Sequence, residues 1–183
     1  MIWKKILLIN VIVHILAHYT TIPFDHYALW PNSELERPYQ YVTHMFLHAN
    51  FTHILFNMLA FISFAPMVEK HFGSNRFLIF YLLSGLGAAF LHIYVTGSQG
   101  PMVGASGAIF GVLLVSAILE PDMKVWLFFF IPLKAKWVVP LILVGELYFG
   151  FMTPGDHIAH FAHIGGALTG GLYFLINKKY ENE

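Results

Sequence analysis

The sequence predicts an all-α polytopic membrane protein, a bundle of six transmembrane helices forming one domain over residues 1–183. Three observations carry that expectation. The chain is 57% hydrophobic and 11% charged, where an average soluble domain carries roughly 25% charged residues. That leaves too little polar surface to coat a soluble fold of this size. The apolar residues gather into runs near the ~20-residue length that crosses a hydrocarbon core of about 30 Å. The basic residues fall on alternate connections between those runs. The formal net charge is zero and cysteine is absent. Composition thus gives no electrostatic case for nucleic acid and excludes a disulfide scaffold, a thiol nucleophile and a thiolate metal site.

The first span is expected over 4–22, within "MIWKKILLINVIVHILAHYTTIPF". Its long apolar run, interrupted by His14 and His18 and lacking a small-residue cleavage site, reads as a retained helix rather than a cleaved leader. The remaining spans are expected over 51–68, 77–96, 103–119, 137–152 and 158–176. The fifth is short and carries Pro140 and Glu146. Lys4, Lys5, Lys70, Arg76, Lys124, Lys134, Lys136, Lys178 and Lys179 then fall on one side of the membrane, leaving only Arg37 on the other. The asymmetry predicts cytoplasmic termini. "VWLFFFIPLKAKW", residues 125–137, is apolar but broken by Pro132 and is expected to lie along the cytoplasmic interface, with a re-entrant hairpin as the alternative. Residues 20–38 form the longest outer connection. Their Pro23, Phe24, Tyr27, Leu29 and Trp30 predict packing at the outer surface.

Polar side chains are costly in hydrocarbon, so each one inside a span needs a reason. In "HMFLHANFTHILFNM", residues 44–58, His53 and Asn57 are one turn apart on a shared helix face. That pair serves either interhelical hydrogen bonding or a site. In "DHIAHFAHIGGALTGG", residues 156–171, Ala159, His163, Ala167 and Gly171 form a stripe that is small everywhere except at the histidine. His163 is therefore the histidine best placed to touch a neighbouring helix, whereas His160 aligns with Ile164 and Leu168. Asp156 and His157 mark the helix entrance, where an aspartate caps free N–H groups.

"GASGAIFG", residues 104–111, places one hydroxyl among small residues. Gly104, Ala108 and Gly111 give the fourth helix a small face, and Gly107 and Gly111 form a GxxxG pair. On that reading Ser106 is a packing residue. Pro101 and Gly104, however, suggest that the helix only begins here. Ser106 would then sit beside the unpaired N–H groups of a helix start, a good position for a nucleophile whose reaction creates an oxyanion.

Together these residues resemble the rhomboid intramembrane serine proteases. The matching stretches are "HANFTHILFNM", "VEKHFGSNRF", "GASGAIFG" and "AHFAHIGGALTGG", and the likeness covers residues 39–174. The resemblance implies a serine endopeptidase with Ser106 as nucleophile and His163 as general base, a dyad with no third acid. It implies oxyanion donors at His53, Asn57 and the Ser106 backbone N–H. His48, Gly104 and Gly107 would be structural residues near the site. It implies single-span transmembrane substrates, the lipid bilayer as surroundings, no nucleic acid, no cofactor and no metal. It assigns Glu146 no role. Many members carry Trp-Arg just before the second helix, where this chain has Tyr39–Gln40. The expected location is a bacterial inner membrane.

Two other classes compete. A histidine-based metalloenzyme or transporter would draw on His157, His160 and His163 with His44, His48 or Glu146. Histidines at three-residue steps drift by about 60° each around a helix, so no converging ligand set is expected, and no HExxH motif is present. A non-catalytic client-binding membrane protein would be marked by loss of Ser106 or His163, and both are present.

Overall fold

A computed structural model of the chain describes residues 1–20, 22–97, 100–127, 130–153 and 158–181. Among them, six longer helices stand at the six predicted places: α1 (Ile2–Tyr19), α4 (Phe51–Phe72), α5 (Ser74–Thr96), α6 (Ser106–Leu119), α7 (Ala135–Met152) and α8 (His160–Glu181). Two four-residue helices, α2 (Phe24–Tyr27) and α3 (Gln40–Thr43), lie in the first long connection. Helices α1, α4, α5 and α7 are each long and apolar enough to cross a membrane. α6 is equally apolar but has 14 residues, roughly 21 Å at 1.5 Å per residue, less than a hydrocarbon core.

The burial pattern is that of a chain with an apolar solvent outside. On α1 the buried side chains are Ile6, Asn10 and His14, while Leu8, Ile12 and Ile15 face outward. On α7 Leu141, Val144, Leu147 and Phe151 are exposed, and on α8 so are Leu168, Leu172 and Leu175. A soluble helix turns its apolar stripe inward. Here the outward faces of these helices carry large exposed apolar side chains turn after turn. The interior holds both a phenylalanine-rich core (Phe61, Phe77, Phe80 with Tyr81) and the polar residues.

Consecutive long helices run antiparallel, and their basic ends meet. Glu69, near the end of α4, accepts from the N–H groups of Ile2 at 2.8 Å and Trp3 at 2.7 Å, so it caps α1 from another helix. The Tyr173 hydroxyl on α8 donates to the Arg76 carbonyl at the start of α5. Lys4, Lys70, Arg76 and Lys178 thus lie toward one end, as the charge pattern predicts.

The segment over 125–137, expected at the interface with a hairpin as the alternative, contains a β-hairpin followed by the start of α7. Strands β1 (Lys124–Leu127) and β2 (Ile131–Lys134) pair antiparallel with Lys124 opposite Lys134, and α7 begins at once. Pro132 lacks the N–H a helix needs, while the β-branched and aromatic residues around it favour extended backbone. Phe128 and Phe129 lie outside the described residues. Asp122 anchors the hairpin end through Lys134 at 2.9 Å and Lys136 at 2.8 Å.

The tightest packing joins α8 to α5 and α6, with a correction to the predicted stripe. The closest approach runs through Gly165, Gly166 and Gly170, beside the predicted stripe, of which Gly171 packs against Leu114 and Ala167 is buried. A Cβ on Gly166 would lie 1.8 Å from the Gly107 carbonyl oxygen, and one on Gly170 would lie 2.7 Å from Gly111 Cα. Ala159 precedes the helix, which starts at His160. Gly104 likewise lies before α6 and shares no helical face with Ala108 and Gly111. The predicted GxxxG pair does pack: Gly107 meets Ala88, and Gly111 meets Ser84 and the Gly166 carbonyl.

Candidate active site

Helix α6 begins at Ser106, as Pro101 and Gly104 predict. The backbone before it is pinned on both sides. Leu29 and Met102 exchange hydrogen bonds of 3.0 and 2.8 Å, and the Gly104 N–H donates to the His44 carbonyl at 2.9 Å. Gly104 takes φ +127, a region L side chains avoid. A Cβ there would come within 2.9 Å of the His53 ring and 3.6 Å of the Ser106 hydroxyl. Glycine at 104 thus lets the backbone turn and lets His53 approach the serine.

His163, in the first turn of α8, faces that serine. Its Nε2 lies 2.9 Å from Ser106 Oγ, and its Nδ1 lies 2.8 Å from Glu146 Oε2. Glu146 comes from α7, and the same Oε2 lies 2.6 Å from His160 Nδ1. An ionised carboxylate only accepts, so both Nδ1 atoms donate to it. The neutral His163 ring then has a bare Nε2, and the serine hydroxyl donates there. Phe110, one turn beyond Ser106, stacks on the imidazole with centroids 4.2 Å apart.

Of the predicted residues, Ser106, His163, His53, Gly104 and Gly107 gather at the N-terminal ends of α4, α6 and α8. Ala49 N–H donates to His53 Nδ1 at 3.4 Å, which leaves Nε2–H, on the edge facing Gly104, as a donor. Asn57 lies one turn deeper, and its amide donates to the His53 carbonyl at 2.8 Å. His48 is fully buried, edge-on to His53 at 5.1 Å and to His14 at 6.4 Å, so it joins α1 to α4. Burial, with the neighbouring His53 and His14, pushes its imidazole down to about 3. Burial likewise pushes His44 down to about 4, against the opposing bond from its Nδ1–H to the Gln40 carbonyl at 2.8 Å. A small cavity beside Ser106 is lined by His44, Ala88, Met102, Gly107 and Ala162.

Gln40 holds the connection where the rhomboids' Trp-Arg is missing. Its amide donates to the His26 and Leu35 carbonyls, both at 3.1 Å, and its oxygen accepts from Arg37 N–H at 3.0 Å. Asp156 and His157 lie outside the described residues.

Two expectations need correction. His160 does not stand apart from the site; it shares the Glu146 carboxylate with His163. A ligand set also does converge, since Glu146, His160 and His163 each offer one atom within 4.8 Å of the others. Helical drift did not forbid this, because the shared partner comes from a different helix. The spacing is that of hydrogen bonds, however: 2.6 and 2.8 Å fall short of the roughly 3.3 Å edge of a tetrahedral zinc site with ~2.05 Å bonds. Sequence reasoning missed Glu146, His160 and Phe110. A lone carboxylate in an apolar helix, which must find a partner, was the available signal for the first.

Residues 35–179 match the family model of the Rhomboid domain. The chain belongs to the rhomboid family. Among its rhomboid relatives, the RHOMBOID-like protein 1 of Arabidopsis thaliana is 34% identical over 141 residues, 75% of this chain and 35% of that protein. The Rhomboid protease GlpG of Haemophilus influenzae is 29% identical over 156 residues, 84% of this chain and 77% of that protein. The mitochondrial Rhomboid protein 1 of Saccharomyces cerevisiae is 32% identical over 144 residues, 75% of this chain and 42% of that protein. The chain thus spans less than half the length of that Arabidopsis protein and of the yeast one.

Proposed function

We propose that this rhomboid is an intramembrane serine endopeptidase that cleaves single-span membrane proteins within or beside their spans. The observation that carries this reading is the 2.9 Å contact between Ser106 Oγ and His163 Nε2, in a membrane-type bundle where each residue lies in the first turn of its helix. Ser106 attacks the scissile carbonyl while its proton passes to His163, which then protonates the leaving amine. His53, Asn57 and the Ser106 N–H donate to the oxyanion. His48, Gly104 and Gly107 shape the site without taking part in the chemistry. The cavity beside Ser106 is small and suits a small side chain before the cleaved bond. A helical substrate hides its amides in lipid, so substrates should carry helix-weakening residues near their outer end.

On this reading all six long helices span the bilayer as one domain of 183 residues, and both termini face the cytoplasm of a bacterial inner membrane. The short α6 starts below the outer surface, which lets water reach Ser106. No cofactor, metal or nucleic acid takes part. The test is labelling by a fluorophosphonate probe. Intact protein should be labelled and Ser106→Ala should not; equal labelling of a folded Ser106→Ala protein would defeat the proposal.

A further inference from the structure

Glu146 is the carboxylate that the resemblance leaves without a role, and it sits where a serine–histidine pair can use one. Three elements meet there: α6 supplies Ser106, α8 supplies His163 and His160, and α7 supplies Glu146. The hydroxyl, imidazole and carboxylate form an unbroken chain, with Ser106 Oγ 2.9 Å from His163 Nε2 and His163 Nδ1 2.8 Å from Glu146 Oε2. His160 Nδ1, at 2.6 Å from the same oxygen, fixes the carboxylate from a second side.

We infer that Glu146 is a positioning residue that holds His163 in the tautomer the reaction needs, with His160 bracing the carboxylate. The inference rests on the serine-endopeptidase reading above. A neutral imidazole carries its proton on one nitrogen or the other. Only the Nδ1–H form leaves Nε2 able to take the serine proton. A carboxylate facing Nδ1 selects that form, because it can accept and cannot donate. In the first step the Oγ–H proton moves to Nε2 as the Oγ–C bond forms. The imidazolium then returns that proton to the amine as the C–N bond breaks. The Nδ1 proton stays hydrogen-bonded to Glu146 throughout, and the carboxylate faces the positive ring while it exists. Water later repeats the sequence to release the acyl group.

A purely structural carboxylate would join α7 to α8 equally well through either histidine. The feature that separates the two roles is the alignment with Ser106, and the experiment must read the tautomer rather than stability alone. The full-length protein, reconstituted with a single-span substrate, is compared with Glu146→Gln, Glu146→Asp and Ser106→Ala. Thermal unfolding is followed in parallel. Glutamine keeps size and shape, but its amide N–H can donate to Nδ1 and select the unproductive Nε2–H form. Exchange of this kind in a serine–histidine–aspartate hydrolase lowers kcat about 10⁴-fold with the geometry intact. Here kcat should fall by roughly 10²–10⁴-fold with KM nearly unchanged, and fluorophosphonate labelling should slow in step. Aspartate should recover part of the loss.

Histidine ¹⁵N NMR supplies a readout that needs no turnover. Ser106→Ala protein with Glu146 intact should show His163 protonated at Nδ1 and bare at Nε2. Full kcat in Glu146→Gln, with Ser106→Ala inactive, would overturn this inference and leave the endopeptidase reading standing. Cleavage by Ser106→Ala would overturn both. Should Glu146→Gln fail to fold, the NMR tautomer decides, and an Nε2–H ring would overturn the assignment.

Discussion

Phe110 lies flat on the imidazole of His163, with ring centroids 4.2 Å apart and planes 4° from parallel. The two rings come from different helices, and Phe110 is one turn beyond Ser106 on its own helix. The stack therefore fixes the plane of the imidazole, while Ser106 and Glu146 fix its rotation. Phe110→Leu keeps the apolar volume and loses the flat face. Aromatic stacking is worth about 0.5–1.5 kcal/mol beyond burial, so turnover should fall by up to roughly tenfold with little loss of stability. Steady-state kinetics checks this, and an unchanged kcat would show that the other contacts hold the ring alone.

Gly166 is a place where a single methyl should open the bundle. Its Cβ would sit 1.8 Å from the backbone oxygen of Gly107, and backbone cannot rotate away as a side chain can. Gly166→Ala should cost about 1–3 kcal/mol, the usual penalty for overpacking, and should displace His163 from Ser106. Gly145→Ala on α7 is the control, since nothing lies within 4 Å of its Cβ position. Alanine there should be neutral or stabilise by up to about 1 kcal/mol. The comparison is made by unfolding in detergent, and equal stability of the two variants would contradict the packing account.

The positions of the long helices were legible because hydrophobic run length acts locally along the chain. The meeting of Ser106 with His163 was legible for a related reason, since a helix start and a small-residue neighbourhood are written in adjacent residues. Glu146, His160 and Phe110 were not, because their roles exist only when α6, α7 and α8 are side by side. The helical drift of His157, His160 and His163 argued against convergence only while one helix was considered. The hairpin at Lys124–Lys134 was open in the sequence only as an alternative, because an apolar segment broken by proline fits several interfacial conformations and pairing between strands decides.

His53 and Asn57 should differ in weight. His53 presents its Nε2 edge beside Gly104, whereas the Asn57 amide is already donating to the His53 carbonyl. Loss of one good oxyanion donor lowers kcat by about 10²–10³-fold. His53→Ala should approach that value, and Asn57→Ala should lose less. Both should act on kcat more than on KM, because the charge they meet exists only in the transition state. Unchanged turnover in the double variant would remove the pair from the mechanism.

Chelation should leave activity intact. The Glu146, His160 and His163 atoms are spaced for hydrogen bonds at 2.6 and 2.8 Å, and Glu146 is occupied as their acceptor. Purified protein treated with excess phenanthroline should cleave substrate at the untreated rate. Complete inhibition, reversed by added zinc, would reassign these three residues to a metal site.

Stability should fall as the pH drops from about 7 toward 4, through two histidines that lie in the connection before α4. Burial holds His44 at about 4 and His48 at about 3, while in the unfolded chain both titrate near 6.5. Between those values the unfolded chain binds protons that the folded chain does not, so acid favours unfolding. The loss begins as the pH falls through about 6.5 and levels off below the folded values. Each histidine contributes a slope of about 1.4 kcal/mol per pH unit inside that window. Asp122 behaves differently. Hydrogen bonds from Lys136 and Lys134 lower its carboxyl from 3.8 to about 2, so its pairing is lost only below about pH 4, at the acid end of the histidine window. His48→Phe keeps a ring in the same edge-on packing against His14 and His53 and removes one titrating group. Unfolding followed from pH 7.5 to 4.5 should be steeper for the parent protein than for His48→Phe, and a flat or rising profile in the parent would show that these buried histidines do not govern its acid sensitivity.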